Sequence, residues 1–140
     1  MLILQQNYFS QIAAYARQQL PLEACGLIAG IKENENIIVK KIYFLNNVDK
    51  SVRHFSLAPQ EQFQAIKDMR QNNYILLGNW HSHPSSAAVP STEDIKLAYD
   101  PALSYLILSL QYSTPLLNSF KIKNGFITKE IIHIIPEEKR

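Results

Sequence analysis

The chain has 140 residues, of which 46% are hydrophobic and 19% charged, and its formal net charge is only +2. This composition excludes a disordered chain, and the length is that of one ordinary domain, so we expect a single domain over residues 1–140. Lysines and arginines are scattered along the chain, and a weak, dispersed positive charge argues against nucleic acid as a partner.

Cysteine usage and hydropathy indicate where the protein resides. Cys25 is the only cysteine, so no intrachain disulfide can form, which fits a reducing compartment. The apolar start Met-Leu-Ile-Leu is too short for a signal peptide, and no apolar run reaches the roughly 18 residues that span a bilayer. We therefore expect a cytoplasmic protein with no membrane partner.

The first third of the chain predicts a helix followed by a β-hairpin. Residues 8–20 carry apolar groups at helical spacing, and a proline follows directly. The apolar run 24–31 contains two glycines and reads as a buried strand. A polar turn over 32–36 separates it from a second strand over 37–45.

The rest of the chain predicts two helices and four more strands. An irregular polar stretch, 46–56, precedes a helix that begins near Pro59, since proline suits the first turn of a helix. The apolar face of that helix is predicted to comprise Phe63, Ile66 and Met69. A third helix is expected over 91–99, and the strands are expected over 74–80, 104–112, 119–123 and 126–135.

These elements define an α/β (α+β) fold in which a central mixed sheet is packed by about three helices. The late strands are adjacent in sequence, so part of the sheet is expected to be antiparallel.

The segment from Trp80 to Asp94 carries the residues with the most informative chemistry. His81 and His83 are two residues apart at the end of a strand, so their imidazoles point to the same face. The carboxylate of Asp94, in the first turn of the next helix, could return to the same point. Two histidines and one carboxylate leave the fourth position of a tetrahedral zinc site open for water.

Structural interpretations of the same residues remain open at this point. Ser91-x-x-Asp94 also has the pattern of a capping box, in which Ser91 accepts the amide of Asp94 at the start of a helix. The pair His81 and His83, taken alone, is compatible with strand surface or with a hydrogen-bonded core position.

Taken together, these residues resemble a known family. At every position, the motif resembles the signature of the JAMM or MPN+ metallopeptidases: His81-Ser82-His83, then seven residues, Ser91, two residues and Asp94. The family has an upstream glutamate near its first strand, and Glu23 stands in the matching context, Pro-Leu-Glu-Ala-Cys-Gly-Leu. The resemblance spans roughly residues 20–101, and the short chain looks like the prokaryotic branch.

The resemblance implies an MPN, cytidine-deaminase-like architecture and a mechanism. His81, His83 and Asp94 would bind Zn²⁺, and Glu23 would take a proton from the zinc water and pass it to the leaving amine. Ser91 would hydrogen-bond the developing oxyanion. Taken without the resemblance, Glu23 reads as a surface residue between a helix and a strand.

The resemblance also implies a substrate. The family cleaves amide or isopeptide bonds at the C-terminus of ubiquitin-like proteins, and the prokaryotic branch is similar to enzymes that process sulfur-carrier proteins ending in Gly-Gly. The segments 46–56 and 111–118 are short, which argues against dedicated ubiquitin-chain specificity. A homodimer is left open.

Three alternatives compete with this interpretation. The first is a non-catalytic MPN-type interaction module, which the presence of all five motif residues disfavours. The second is a nucleoside deaminase, which needs a Pro-Cys-x-x-Cys motif that a chain with one cysteine lacks. The third is a DNA-associated role, which the near-neutral charge does not support.

The neighbours of the motif are predicted to be structural. Ser82 and Trp80 face away from the histidines, toward strand hydrogen bonds and the core. Cys25 is expected to be a small buried hydrophobe, and His54 and His133 to be surface or structural residues.

Overall fold

The computed structural model describes residues 1–137, which form eight strands and three helices. In chain order these are β1 (Leu2–Gln5), α1 (Gln6–Gln19), β2 (Cys25–Glu33), β3 (Asn36–Leu45), α2 (Pro59–Gln71), β4 (Ile75–His83), α3 (Thr92–Lys96), β5 (Ser104–Ser109), β6 (Leu116–Lys123), β7 (Phe126–Glu130) and β8 (Ile132–Ile135). None of the helices in this range is long and apolar enough to cross a lipid bilayer.

All eight strands belong to one sheet, in the order β7-β6-β5-β4-β2-β3-β1-β8. The central strand β4 runs parallel to β5 and antiparallel to β2. Strand β1 is parallel to both of its neighbours, β3 and β8. The remaining neighbours pair in antiparallel fashion. A mixed sheet with three helices is the predicted fold class, which is thereby confirmed.

The sheet is strongly curled. Strands β7 and β8 are its two edges, yet only Ile131 separates them along the chain. A flat sheet of this size would hold its edges roughly 30 Å apart, whereas two residues span at most about 7 Å. The edges must therefore meet at one corner. Residues from both ends of the sheet accordingly share one buried cluster, which includes Leu2, Leu4, Trp80, Leu106 and Leu117.

The two faces of the sheet pack against different helices. Helix α1 joins the cluster that contains Trp80 and Leu106. On the opposite face, Leu27 and Ala29 of β2 pack against α2, and a third cluster forms beside α3. Side chains alternate along a strand, so His81 and His83 lie on the face away from α1.

Two predictions about the ends of the chain are wrong. The single strand expected over 126–135 is two strands, since β7 pairs with β6 whereas β8 pairs with β1 at the opposite edge. The segment Leu2–Gln5 was not predicted as a strand, because four residues are too few to show an alternating pattern. Pairing between the two ends of a chain leaves no local signal.

Two predictions about helices also need correction. The helix expected over 91–99 ends at Lys96, and Leu97 and Tyr99 beyond it are 49% and 82% exposed, so a longer helix would bury little apolar surface. Of the predicted apolar face of α2, Ile66 and Met69 do pack inward, together with Ala65, but Phe63 is 66% exposed. Two residues are about 200° of helical rotation, so a helix that buries Ala65 points Phe63 toward solvent.

Candidate active site

Three candidate metal ligands converge at the end of β4. His81 and His83 are the last alternating residues of that strand, and Asp94 is the third residue of α3. The two Nε2 atoms are 3.1 Å apart, and Asp94 Oδ2 lies 3.1 Å from that of His81 and 3.3 Å from that of His83. The three residues predicted as ligands therefore meet at one point.

The spacing of these atoms fits zinc. In a tetrahedral site with zinc–ligand distances of about 2.0–2.2 Å, the ligand atoms are about 3.3–3.6 Å apart, close to the separations of 3.1–3.3 Å found here. Two imidazole nitrogens and one carboxylate oxygen are also a donor set that a borderline metal prefers.

The two imidazoles are oriented by different means. His83 Nδ1 donates to the carbonyl of Ala87 at 2.8 Å, which leaves a lone pair on Nε2 facing the site. His81 Nδ1 is buried and has no hydrogen-bond partner among residues 1–137. The ring of His81 is instead held by packing, since Phe55 stacks on it with ring centroids 4.6 Å apart.

Two of the three candidate ligands, Asp94 and His81, favour the protonation state that a metal requires. Burial would raise the pKa of Asp94, but hydrogen bonds from His81 and His83 hold it far below its usual range, so the carboxylate is ionised. Burial lowers the pKa of His81, which favours the neutral imidazole. Burial also acts to lower the pKa of His83, but hydrogen bonds to Asp94 and Ala87 outweigh it and raise the value. A cation at this point replaces the proton that His83 shares with Asp94.

Asp94 caps its helix and faces the histidines with the same atom. Ser91 Oγ accepts the amide of Asp94 at 3.0 Å, and the Ser91 amide donates to Asp94 Oδ2 at 2.9 Å. Both halves of the predicted capping box are therefore present. The capping interpretation and the ligand interpretation are compatible, since the box orients the carboxylate toward His81 and His83.

The sheet register brings Glu23 to the same place. Strand β2 is antiparallel to β4, so the start of β2 lies beside the end of β4, with Cys25 opposite His81. The amide of Ala24 donates to Ser82 Oγ at 2.8 Å, and the Ser82 amide donates to the Ala24 carbonyl at 2.9 Å. Glu23, one residue earlier, is therefore placed next to the ligand strand.

Glu23 is buried at the bottom of a cleft. Its side chain and backbone are only 4% exposed, and it lines a cavity of about 460 Å³ together with His83 and Ser91. Burial raises the pKa of the Glu23 carboxyl to about 7, although the nearby His83 opposes the shift. A carboxyl with a pKa near neutrality can both accept and release a proton at physiological pH.

The cleft is walled by three short segments, 52–54, 84–86 and 91–93. His54 in the first segment contacts the carboxylate of Glu93 in the third. His54 is half-exposed, as expected for a surface residue, but it connects two walls of the cleft.

The residues predicted to be structural behave as such. Trp80 and Cys25 are fully buried, and Ser82 makes the strand hydrogen bonds described above. Burial raises the pKa of the Cys25 thiol to about 12, so it stays protonated and unsuited to ligate a metal. His133 is exposed.

Three residues that contact the site were not predicted from the sequence. Ala87 orients His83 through its carbonyl, Phe55 stacks on His81, and Asn47 donates to the carbonyl of Glu23 at 3.1 Å. Asn47 and Phe55 lie in the stretch predicted to be irregular and polar. Neither has a spacing relation to the His-x-His motif that could have indicated its contact.

The fold and the residues at the end of β4 belong to a defined class. The chain matches the family of prokaryotic homologs of the JAB domain over residues 5–123, and it therefore belongs to that family. The predicted resemblance to the prokaryotic branch of the JAMM/MPN+ family is thereby confirmed.

Individual relatives extend this finding. The CysO-cysteine peptidase of Mycobacterium tuberculosis is 26% identical over 138 residues, covering 98% of this chain and 93% of the relative. A desampylase of Pyrococcus furiosus is 32% identical over 95 residues, covering 68% of this chain and 64% of the relative. The solution structure of a protein from Desulfitobacterium hafniense is 46% identical with a TM-score of 0.91, covering 98% of this chain and 94% of that one.

Proposed function

We propose that this chain is a zinc-dependent peptidase of the JAMM type. It hydrolyses the amide or isopeptide bond after the C-terminal Gly-Gly of a ubiquitin-like or sulfur-carrier protein. The observation that carries the proposal is the convergence of His81 Nε2, His83 Nε2 and Asp94 Oδ2 beside a cleft lined by a buried glutamate. The relatives named as a CysO-cysteine peptidase and a desampylase support the substrate class.

The residues of this chain divide the chemistry between them. His81, His83 and Asp94 hold the zinc, which when bound supplies Lewis acidity and lowers the pKa of water. Glu23 takes a proton from the attacking water and delivers it to the leaving nitrogen, and a pKa of about 7 suits both transfers.

Ser91 is placed to stabilise the negative charge that grows on the scissile carbonyl oxygen. Its Oγ accepts the Asp94 amide, a bond that does not use its own hydroxyl hydrogen. That hydrogen can be donated into the cleft that Ser91 lines.

A glycine tail suits this cleft because glycines have no side chains and can approach the lining closely. We expect the tail to lie along the segments 52–54 and 84–86, with its end near Glu23. The homodimer stays a prediction.

The test measures metal content and cleavage on the same preparations. Wild type, Glu23→Gln, His83→Ala and the exposed control His133→Ala are purified, and zinc per chain is measured by mass spectrometry. Each is then given a sulfur-carrier protein fused through its Gly-Gly to a short peptide, in peptide-bonded and lysine-linked forms.

We expect about one zinc per chain in wild type, Glu23→Gln and His133→Ala, with cleavage only by wild type and His133→Ala. His83→Ala should lose both zinc and activity. A wild-type protein without zinc would contradict the metal assignment. Zinc without cleavage of either substrate would contradict the peptidase assignment and favour a non-catalytic interaction module.

A further inference from the structure

The side chain of Asn47 makes four hydrogen bonds at the base of the loop between β3 and α2. Nδ2 donates to the carbonyls of Glu23 at 3.1 Å and His54 at 2.8 Å. Oδ1 accepts the amides of Asp49 and Ser56, each at 3.1 Å. One half-buried amide thus connects the backbone of the proposed general base to both sides of the loop.

The same loop binds the other backbone group of Glu23. The Glu23 amide donates to the carbonyl of Ser51 at 2.8 Å. The loop is closed on itself by a backbone bridge between Asn47 and Leu57 and by the bond from the Val48 amide to Ser56. Glu23 lies two residues before β2 begins, outside the hydrogen-bonded ladder of the sheet. The loop therefore supplies the backbone hydrogen-bond partners that a neighbouring strand would otherwise provide.

The loop also contacts one proposed metal ligand and the residue next to another. Phe55, next to Ser56 in the loop, stacks on the imidazole of His81 with a 22° angle between the rings. His54 contacts Glu93, the residue before Asp94. The loop that Asn47 holds together therefore borders the proposed base on one side and a proposed ligand on the other.

We propose that Asn47 is a positioning residue for the reaction, which sets the Glu23 carboxylate relative to His81, His83 and Asp94 without touching the substrate. This inference rests on the proposed function. Only a carboxamide offers two donors and a two-fold acceptor in one side chain, and all of these are used here. Aspartate has the same shape but donates no hydrogen bond, so it keeps the accepted bonds and loses both donated ones.

The test compares Asn47→Asp with Asn46→Asp. Asn46 precedes it, is exposed, and bonds to Glu61 on α2 rather than to the active site. Asn47→Ala serves as a second variant, because it removes all four bonds without adding a charge. For each protein we measure kcat and KM on the Gly-Gly fusion, zinc per chain, and hydrogen–deuterium exchange over residues 22–25 and 46–57.

Both Asn47 variants should lower kcat by about 10- to 100-fold, because small displacements of a catalytic group have effects of this size. KM and zinc content should stay within about two-fold of wild type, and the Glu23 amide should exchange faster. Asn46→Asp loses its side-chain bond to Glu61, so exchange near residue 46 can change, but kcat, KM, zinc content and exchange over residues 22–25 should match wild type.

Three outcomes would overturn the inference. One is wild-type kcat in the folded Asn47 variants. Another is a parallel loss of zinc and of global stability, since that pattern marks a residue needed only for folding. The third concerns hydrogen–deuterium exchange. If wild type cleaves no Gly-Gly fusion, the proposed function fails, but the exchange data still test whether Asn47 holds the Glu23 backbone. Unchanged exchange at Glu23 in both Asn47 variants would overturn the positioning role.

Discussion

Single side chains at the start of α3 have two contacts or roles each. Asp94 Oδ2 accepts the Ser91 amide that starts α3 and at the same time faces the two histidines. Ser91 Oγ caps the helix and lines the cleft. A five-residue helix contributes little stability by itself, but its capping box orients the Asp94 carboxylate toward the histidines.

Substitutions of Ser91 should separate capping from catalysis. Ser91→Ala should lower the free energy of unfolding by about 1 kcal/mol, whereas Ser91→Gly should lower it by only a few tenths, because glycine is accepted at helix N-termini. Both lack the hydroxyl and should lose about 10²- to 10³-fold in kcat. Urea unfolding and steady-state kinetics measure the two effects. If kcat instead falls only in proportion to the loss of stability, so that Ser91→Gly is near wild type, Ser91 acts as a helix cap and not in catalysis.

At the scale of elements, three adjacent strands are locked together behind the site. Trp80 of β4 lies across Gly26 of β2, and its Nε1 donates to the carbonyl of Tyr43 on β3 at 3.2 Å. Tyr15 and Phe44 pack edge-on against the indole. Because His81 follows Trp80 directly, this packing also fixes the strand that carries the histidines.

A side chain at Gly26 should disrupt this arrangement. A Cβ there would lie 1.9 Å from the Tyr43 carbonyl oxygen and 2.4 Å from Trp80 Nε1. Gly26→Ala should therefore destabilise the fold by about 3 kcal/mol, measured by urea unfolding. Gly125→Ala is the control, since its φ of +80° is unfavourable for alanine but its surroundings are open. It should lose about 1 kcal/mol. Equal losses at the two glycines would contradict the proposed packing constraint.

At the scale of the whole molecule, the two faces of the curled sheet differ in the side chains that they bury. The cluster around α1 and Trp80 is apolar, and residues from both ends of the described chain contribute to it. The opposite face carries two further apolar clusters, the candidate ligands and a carboxyl group buried at 4% exposure. A buried carboxyl group whose pKa is raised destabilises the folded protein wherever the unfolded chain would be ionised.

Stability of the metal-free protein should therefore depend on pH through Glu23. The pKa of Glu23 is about 7 in the folded protein, against 4.5 for an unperturbed glutamate, which represents the unfolded chain. Between these pH values the unfolded chain binds fewer protons than the folded one. This contribution makes the free energy of unfolding fall as pH rises through that window, by at most about 3 kcal/mol. Glu23→Gln lacks the titrating group, so it should be as stable as wild type near pH 4.5 and more stable at pH 8.

Urea unfolding of both proteins after metal removal, at pH 4.5, 6 and 8, measures this difference. The groups that titrate away from the site are common to the two proteins and cancel in the comparison, whereas His83 interacts with Glu23 and contributes to the difference. Parallel stability curves at all three pH values would contradict a raised pKa at Glu23.

Much of the site was predictable from sequence because its information is local. Alternation along a strand placed His81 and His83 on one face, and the spacing Ser91-x-x-Asp94 predicted the cap that the structure contains. The hairpin of β2 and β3 and the start of α2 followed from periodicity and Pro59. These features depend on backbone geometry within a few residues, which a single chain segment determines by itself.

Other features depended on tertiary structure alone. The pairing of β1 with β8, the register that sets Cys25 opposite His81, the stacking of Phe55 and the bonds of Asn47 join residues that are distant in sequence. Such contacts depend on how the curled sheet closes and on which loops pack against it, and no periodicity along the chain encodes that choice. Sequence alone thus determined which side chains could form the site, and the packing of the sheet decided how they are held together.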